Sequence, residues 1–403
     1  MAHAVESEVR PEEPQELSPP SEFAQTPVIA LGAGMAVLQV ITLFARASIP
    51  CYTVCPDDDF VRYSRWYHAL PLKPSSLSSA NLAEALYELP FQHAVLMPCS
   101  DDWLQRVAAL PPSVTRDFPA SSPSPEIVET MVNKWRFAQA LELAGVPHPR
   151  THLASSTDDL ASIPASEFSD AFLKPLLSLP FCQRYHVKGF RLLDRDQALA
   201  IMQDKEFPIL LQEFIPGPPT TTYFIEGFVD RHGNACGMLA RQRLRMFPPG
   251  LGNSTLSVTV PLATVQAAEQ SLRKLLAFLR YRGIFNAEFK FDQRDGLFKL
   301  LEINARPWWY IEFAARCGVD VCAMAYRDAL DLPVKPVSGY QLGRNCVYLI
   351  NDIRAWWRQR RRGASLRSWA QPWSAAEVTP FHWNDPLPAL AFPGSMFRQR
   401  HKK

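Results

Sequence analysis

Two hydrophobic periods alternate along the chain, and its elements can be read from where one gives way to the other. Residues 27–54, PVIALGAGMAVLQVITLFARASIPCYTV, run from an apolar stretch through a glycine turn and an apolar segment of helical length to a second apolar stretch. That order predicts strand, turn, helix, strand, a βαβ unit. HAVLMPCSDDWLQRVAAL (93–110) repeats strand then helix, with Ser100 or Asp101 as N-cap. A helical period over 126–147 predicts an amphipathic helix ending at Gly145, with Pro147 as the stop. Strand-like runs follow at 171–177 (AFLKPLL) and 208–215 (PILLQEFI). TYFIEGFVD and ACGMLARQRLR flank Arg231-His232-Gly233-Asn234, which predicts a hairpin. Apolar positions at 265, 268, 272, 275, 276 and 279 predict a helix within 264–282, and FNAEFKFD and LFKLLEIN predict a last hairpin. After about residue 330 the pattern weakens.

Composition narrows this picture only a little. The 403 residues suffice for two or three domains with their own cores. Forty-two basic and 40 acidic side chains leave a net charge of +2, so bulk charge points to no nucleic-acid partner. Residues 1–26 are rich in Glu, Pro and Ser and are expected to be disordered. Prolines and serines over 111–126 predict an irregular connection. The eight cysteines show no zinc spacing and no secretory leader precedes them, which predicts free thiols and a cytoplasmic protein. The apolar run from Met35 to Ala45 is too short to span a bilayer and reads as a buried helix.

Candidate chemistry concentrates in the last hairpin. In FNAEFKFD, Phe285, Ala287, Phe289 and Phe291 share one face, and Asn286, Glu288, Lys290 and Asp292 the other. A three-residue turn through Arg294-Asp295-Gly296 would pair Gln293 with Leu297 and place Glu288 directly opposite Glu302. Directly opposed carboxylates sit about 5 Å apart at Cβ and repel one another. A magnesium ion between them would offset that repulsion, and Asn304 on the same face offers a neutral oxygen. A different turn register would instead send the two glutamates to opposite faces. Arg306 continues the alternation and could meet an anion, or form a surface ion pair. Trp308 and Trp309 read as wall or core.

NAEFKFDQRDGLFKLLEINARPWW resembles the metal-binding hairpin of the ATP-grasp superfamily, and within it the carboxylate–amine ligase branch. The resemblance covers about residues 27 to 330. It implies a fold of mixed α/β and α+β class: a Rossmann-like N-terminal domain (27–125), then a two-subdomain ATP-grasp domain (126–330), with 331–403 a C-terminal extension ending in a basic tail. It implies ATP with Mg²⁺ (or Mn²⁺) held by Glu288, Glu302 and Asn304, and Arg306 on the transferred phosphate. Lys134 and Lys174 match the lysines on the nucleotide phosphates. Gln212, Glu213, Phe214 and Ile215 match the adenine hinge. Among Arg241, Arg243 and Arg245, which share a strand face, Arg243 matches the basic residue near the γ-phosphate, a solvated strand face being the bland reading. The activity implied is amide formation between a small-molecule carboxylate and an amine through an acyl phosphate, with ADP and phosphate released, in a chain of a family where dimers are common.

Two departures stand out. The loop after the second lysine, LLSLPFCQRYHVKGF, carries only Gly189, so Arg184 or Lys188 would have to supply the cation over the phosphates. The acid that grips the ribose past the hinge is absent from PGPPTTT (216–222). His68, Asp101 and Asp102 could line the substrate side, although each reads as readily as a surface residue or helix cap. Two other readings compete. Gly32 and Gly34 form an incomplete dinucleotide fingerprint, which suggests a nicotinamide-dependent oxidoreductase. NDIRAWWRQRRRGASLRSW and the closing RQRHKK suggest instead a non-catalytic protein that lies on anionic lipid or touches nucleic acid, and the missing ribose acid leaves room for a catalytically degenerate ATP-binding chain.

Overall fold

The computed structural model describes residues 26–71, 82–250, 252–360, 363 and 365–392. The expected disordered tail, apart from Thr26, and the closing RQRHKK lie outside the described residues. The first βαβ unit forms as its pattern predicts. Strands β1 (Val28–Leu31), β2 (Cys51–Val54) and β3 (Val95–Pro98) make a parallel sheet in the order β2-β1-β3, with helix α1 (Gly34–Arg46) between the first two. All four residues of β1 and of β3 are buried, as strands covered on both faces require. Helix α2 (Leu82–Tyr87) precedes β3, and α3 (Asp101–Ala108) follows it. Ser100 is the cap of α3, its hydroxyl accepting from the Trp103 N–H at 3.3 Å.

Two expectations in the next stretch need correction. The proline-rich passage contains a helix, α4 (Pro112–Asp117), and its exit runs back along β3, where the Leu96 N–H donates to the Pro119 carbonyl at 2.8 Å. Prolines at the first turn of a helix cost nothing, because those N–H groups have no partner within the helix. The single helix expected over 126–147 is two, α5 (Pro125–Val132) and α6 (Lys134–Leu143). Asn133 divides them. Its side-chain oxygen accepts from the N–H groups of Trp135 and Arg136 at 3.0 and 3.2 Å, a cap that outcompetes helix continuation.

A four-stranded antiparallel sheet follows, β4 (Thr151–Ala154), β5 (Ala171–Pro175), β6 (Phe190–Arg191) and β7 (Ile209–Glu213), ordered β4-β7-β5-β6. Helices α7 (Thr157–Ser162), α8 (Ser178–Tyr185) and α9 (Arg195–Met202) pack on it through Leu160, Phe181, Ala198 and Met202. Next comes a seven-stranded sheet built of β8 (Thr222–Val229), β9 (Ala235–Phe247), β10 (Asn253–Val260), β11 (Gly283–Asp292), β12 (Leu297–Asn304), β13 (Asn345–Tyr348) and β14 (Ala376–Thr379). Its order is β12-β11-β8-β9-β10-β13-β14. Helix α10 (Gln266–Phe278) covers one face, burying Leu272, Leu275 and Leu276 with Phe285, Ala287 and Phe289. Helices α11 (Ile311–Arg316) and α12 (Val321–Ala329) share a second core with α1.

The weak pattern after residue 330 hides ordered structure. Strands β13 and β14 extend the central sheet, while α13 (Leu349–Gln359) and α14 (Leu366–Ala370) lie against its cleft end. These strands are four residues each, too short for periodicity to reveal.

Candidate active-site cleft

Strands β11 and β12 meet in a register that places Glu288 opposite Glu302, the arrangement expected from the sequence, but by a different route. The turn is one residue longer than counted, because Asp292, not Gln293, pairs with Leu297. A β-bulge at Leu301 restores the phase: Phe289 pairs with Leu300, and Glu288 with Glu302. Strict alternation would put Leu300 and Glu302 on one face. With the bulge, Leu300 and Ile303 enter the core while Glu302 and Asn304 line the cleft. Gly296 takes the left-handed conformation the turn requires, at φ +73°.

The cleft has a volume of about 1360 Å³, more than a single small ligand needs, and lies between this hairpin, the β5–β7 sheet and helix α6. Lys174, Lys134, Lys188, Gln212, Glu213, Phe214, Ile215, Arg243, Glu288, Glu302, Asn304 and Arg306 all line it. The Lys174 ammonium donates to Gln212 Oε1 at 2.7 Å and lies over the Phe172 ring. Desolvation pulls its pKa down to about 8, against the opposing pull of Glu302. Lys134, the first residue of α6, donates to Ser178 Oγ at 2.5 Å, and burial lowers its pKa too, again opposed by Glu302. A lysine desolvated in this way favours any anion that enters beside it.

The arginines are not a solvated face. Arg241 is 1% exposed and donates to Glu226 Oε1 at 2.7 and 3.2 Å and to Ser257 Oγ at 3.0 Å, a structural ion pair. Arg243 reaches Glu288 at 3.1 Å and donates to Ser254 at 2.9 Å. Arg245 pairs with Asp352 at 3.0 Å. Arg306 donates to Asp101 Oδ1 at 2.7 Å and Oδ2 at 3.4 Å, and to Asn304 Oδ1 at 3.2 Å. Asp101 and Asp102 line the cleft; His68 is not among its lining residues.

In the hinge segment the N–H of Glu213 donates to the Arg150 carbonyl at 2.9 Å and that of Phe214 to Asp170 at 2.8 Å. The Glu213 carboxylate is drawn to Arg294 (2.5 Å) and Lys299 (3.7 Å). Past the second lysine the expected loop begins as helix α8, then turns at His186 and approaches β5 so closely that a Cβ on Gly189 would lie 2.7 Å from the Leu173 carbonyl oxygen. Lys188 borders the cleft, whereas Arg184 is held by Glu206 at 2.6 Å and does not line it. Two lining residues were missed from the sequence although the strand alternation contained them. Lys290 fastens the turn after the hinge, donating to Gly217 O and Pro218 O at 3.1 and 3.2 Å, and Asn286 donates to Glu226 at 2.7 Å.

The donor set fits a divalent cation in part. Two carboxylates face one another with a single guanidinium on Glu288, which leaves Glu302 turned to the cleft. The Asn304 amide presents its nitrogen to Glu302 (3.5 Å) and its oxygen to Arg306, so oxygen ligation by Asn304 requires the opposite amide orientation. Among the described residues nine lysines and arginines line the cleft against five carboxylates, an excess that suits a polyanion. The glycine turn of the first unit offers no comparable place. The buried Asp59 carboxylate already accepts from the Gly34 N–H at 2.9 Å, where a dinucleotide's pyrophosphate would have to sit. The oxidoreductase reading therefore has no support.

No family model matches the chain. Over 259 residues it is 24% identical to a D-aspartate ligase of Enterococcus faecium, covering 61% of each protein. It is 27% identical to a tetrahydromethanopterin:alpha-L-glutamate ligase of Methanococcus maripaludis over 45% of the chain and 60% of that protein. The matches thus span less than two thirds of these relatives' length. Among solved structures, an N5-carboxyaminoimidazole ribonucleotide synthetase in complex with ADP superposes with a TM-score of 0.62 at 15% identity, covering 84% of this chain and 86% of that one. An L-amino acid ligase from Bacillus licheniformis superposes at 0.57 with 16% identity, over 79% and 78%. The chain shares the fold of these two enzymes, and proteins named as ligases occur both among its curated relatives and among the solved structures it resembles.

Proposed function

We propose that the chain is an ATP-dependent carboxylate–amine ligase. The observation that carries this reading is the convergence, in one cleft, of the opposed Glu288 and Glu302 with the desolvated Lys134 and Lys174. Under this reading the first sheet is a Rossmann-like domain (27–125), residues 126–330 form the ATP-grasp domain and 331–403 an extension. Eight free cysteines, seven of them buried, fit the reducing cytoplasm proposed for it.

Lys134 and Lys174 would hold the nucleotide phosphates from the β5 side, and Lys188 would approach from the turn above. With Glu213 and Phe214 already donating their N–H groups to Arg150 and Asp170, just before β4 and β5, the base edge would meet the segment at Ile215. Glu288, Glu302 and Asn304 would hold Mg²⁺, whose charge when bound neutralises the phosphate oxygens and the carboxylate pair together. Arg243 holds Glu288 in place, and Arg306 would turn from Asp101 toward the phosphoryl group as it moves to the substrate carboxylate. The amine then attacks that acyl phosphate and expels phosphate. The chain's part is orientation and electrostatic stabilisation, with no protein nucleophile.

The test is ADP release from Mg-ATP with pooled amino acids, dicarboxylates and amines, beside Glu302→Gln. Release that depends on particular pools and drops at least about a hundredfold in the variant is expected. Release that is indifferent to the pools or to Glu302→Gln would sink the proposal.

A further inference from the structure

The cleft has a second end, which the nucleotide-side residues leave unused. Arg245 lies two residues beyond Arg243, roughly 7 Å further along β9. Its guanidinium is already neutralised by Asp352 and stacks 4.3 Å from the Trp369 ring. Asp352 is fully buried and takes four donors: Arg245, the Thr255 hydroxyl at 2.7 Å, and the indole N–H groups of Trp369 and Trp373 at 3.0 and 2.8 Å. It takes no part in the proposed phosphoryl transfer. What it does is dock the C-terminal segment so that Trp369 becomes part of the cleft wall.

Helix α13 brings Arg358 to the same end of the cleft. Among the described residues no carboxylate lies within ion-pair distance of Arg358, and its guanidinium meets only the face of Phe247, 5.4 Å from the ring centre. Met246 and Trp309, the latter 38% exposed, also line the cleft. One uncompensated guanidinium over an aromatic ring, in a cleft wall that also carries indoles and a thioether, suits an anionic group on an apolar or planar body.

We propose that Arg358, seated by the Asp352-docked segment, selects a substrate bearing a second anionic group set back from its reacting atom. This rests on the ligase reading. A minimal amine or monocarboxylate would leave the guanidinium unmatched. A carboxylate-bearing amino acid or peptide long enough to reach from Glu288 past Arg245 would satisfy it. Arg358 is a specificity residue here, and Asp352 a positioning residue.

The full chain is assayed for ADP release with matched acceptor pairs, each a dipeptide ending in a free carboxylate and its carboxamide twin. Mg-ATP binding is followed separately by calorimetry. The expected result is a preference for the carboxylate members of about tenfold or more, the scale of one charge-assisted hydrogen bond. Arg358→Ala should collapse that preference while leaving the Mg-ATP affinity within about twofold, and Arg358→Lys should recover part of it. Equal turnover of acid and amide, or discrimination that survives Arg358→Ala, overturns the proposal. Nucleotide binding with no turnover on any pair also counts against it, but leaves the nucleotide site standing. Loss of Mg-ATP binding in the unaltered chain would instead overturn the ligase reading itself.

Discussion

Lys174 is held between two opposing pulls. Removal from water lowers its pKa to about 8, while Glu302 and Glu288 favour its charged form. The unfolded chain keeps that proton up to the ordinary lysine range, so between about pH 8 and 10 the unfolded state binds more protons than the folded one. The penalty for burying this ammonium is therefore present below pH 8 and lifts as pH rises through that window. A bound polyanion acts in the other direction and raises the folded pKa. At about pH 8.5, Mg-ATP binding should take up a fraction of a proton, measured by calorimetry in buffers of different ionisation enthalpy, and the uptake should vanish in Lys174→Met. Uptake that persists in the variant would assign the proton elsewhere. The sequence marked Lys174 because a lysine inside an apolar strand wants an anion. It did not show that Gln212 orients it, since that contact joins two strands thirty-eight residues apart.

At the scale of elements, the hairpin is instructive because two departures from simple counting cancel. The turn holds one residue more than expected, and the bulge at Leu301 takes one up. If the bulge only absorbs that extra residue, deleting Leu301 should leave Leu300 and Ile303 in the core and Glu302 in the cleft. Such a chain keeps its fold and binds Mg-ATP within about an order of magnitude of the parent. Inserting one alanine between Leu301 and Glu302 should do the opposite. It turns Glu302 inward and Ile303 outward, costs several kcal/mol, and abolishes nucleotide binding. Thermal melts and calorimetry on both variants separate the outcomes. Helix α6 teaches a related lesson. The apolar period runs through residue 133, but Asn133 satisfies two N–H groups of the second helix, and this local cap sets Lys134 at the start of α6 where it can reach the cleft.

At the scale of the whole molecule, the C-terminal extension is a structural member, not an appendage. Cys346, Tyr348 and Phe392 enter the core that α1 shares with α11 and α12, and Asp385 takes the Ser64 hydroxyl at 2.5 Å, which ties the extension to the first unit. Glu312 gathers Arg46, Arg316 and His382 from three further places in the chain. A chain ended after Tyr340 should therefore lose more than a wall of the cleft. It bares the edge of β10 and part of a core, and should aggregate or elute as soluble oligomers in size-exclusion chromatography. A monodisperse, nucleotide-binding product would show that the extension is dispensable. Among the described residues no helix is long and apolar enough to cross a membrane, and Trp356, in the tryptophan–arginine stretch, is half-buried while Trp357 remains 59% exposed.

Elements whose patterns are local and long enough to count were legible in the amino-acid order alone. These are the first βαβ unit, the 231–234 hairpin, α10, and the two strands of the last hairpin; that Glu288 faces Glu302 depends also on the longer turn and the bulge at Leu301. Each follows from side-chain period and turn chemistry, which act between near neighbours. What faces those elements follows from packing between segments remote in the chain. It set Arg306 against Asp101, two hundred residues away, closed the Gly34 turn with Asp59, and buried Arg241 on Glu226. It also drew the four-residue strands β13 and β14 into the central sheet. Ion pairs and short strands draw their stability from burial and from partners remote in the chain, and neither leaves a period for the sequence to show.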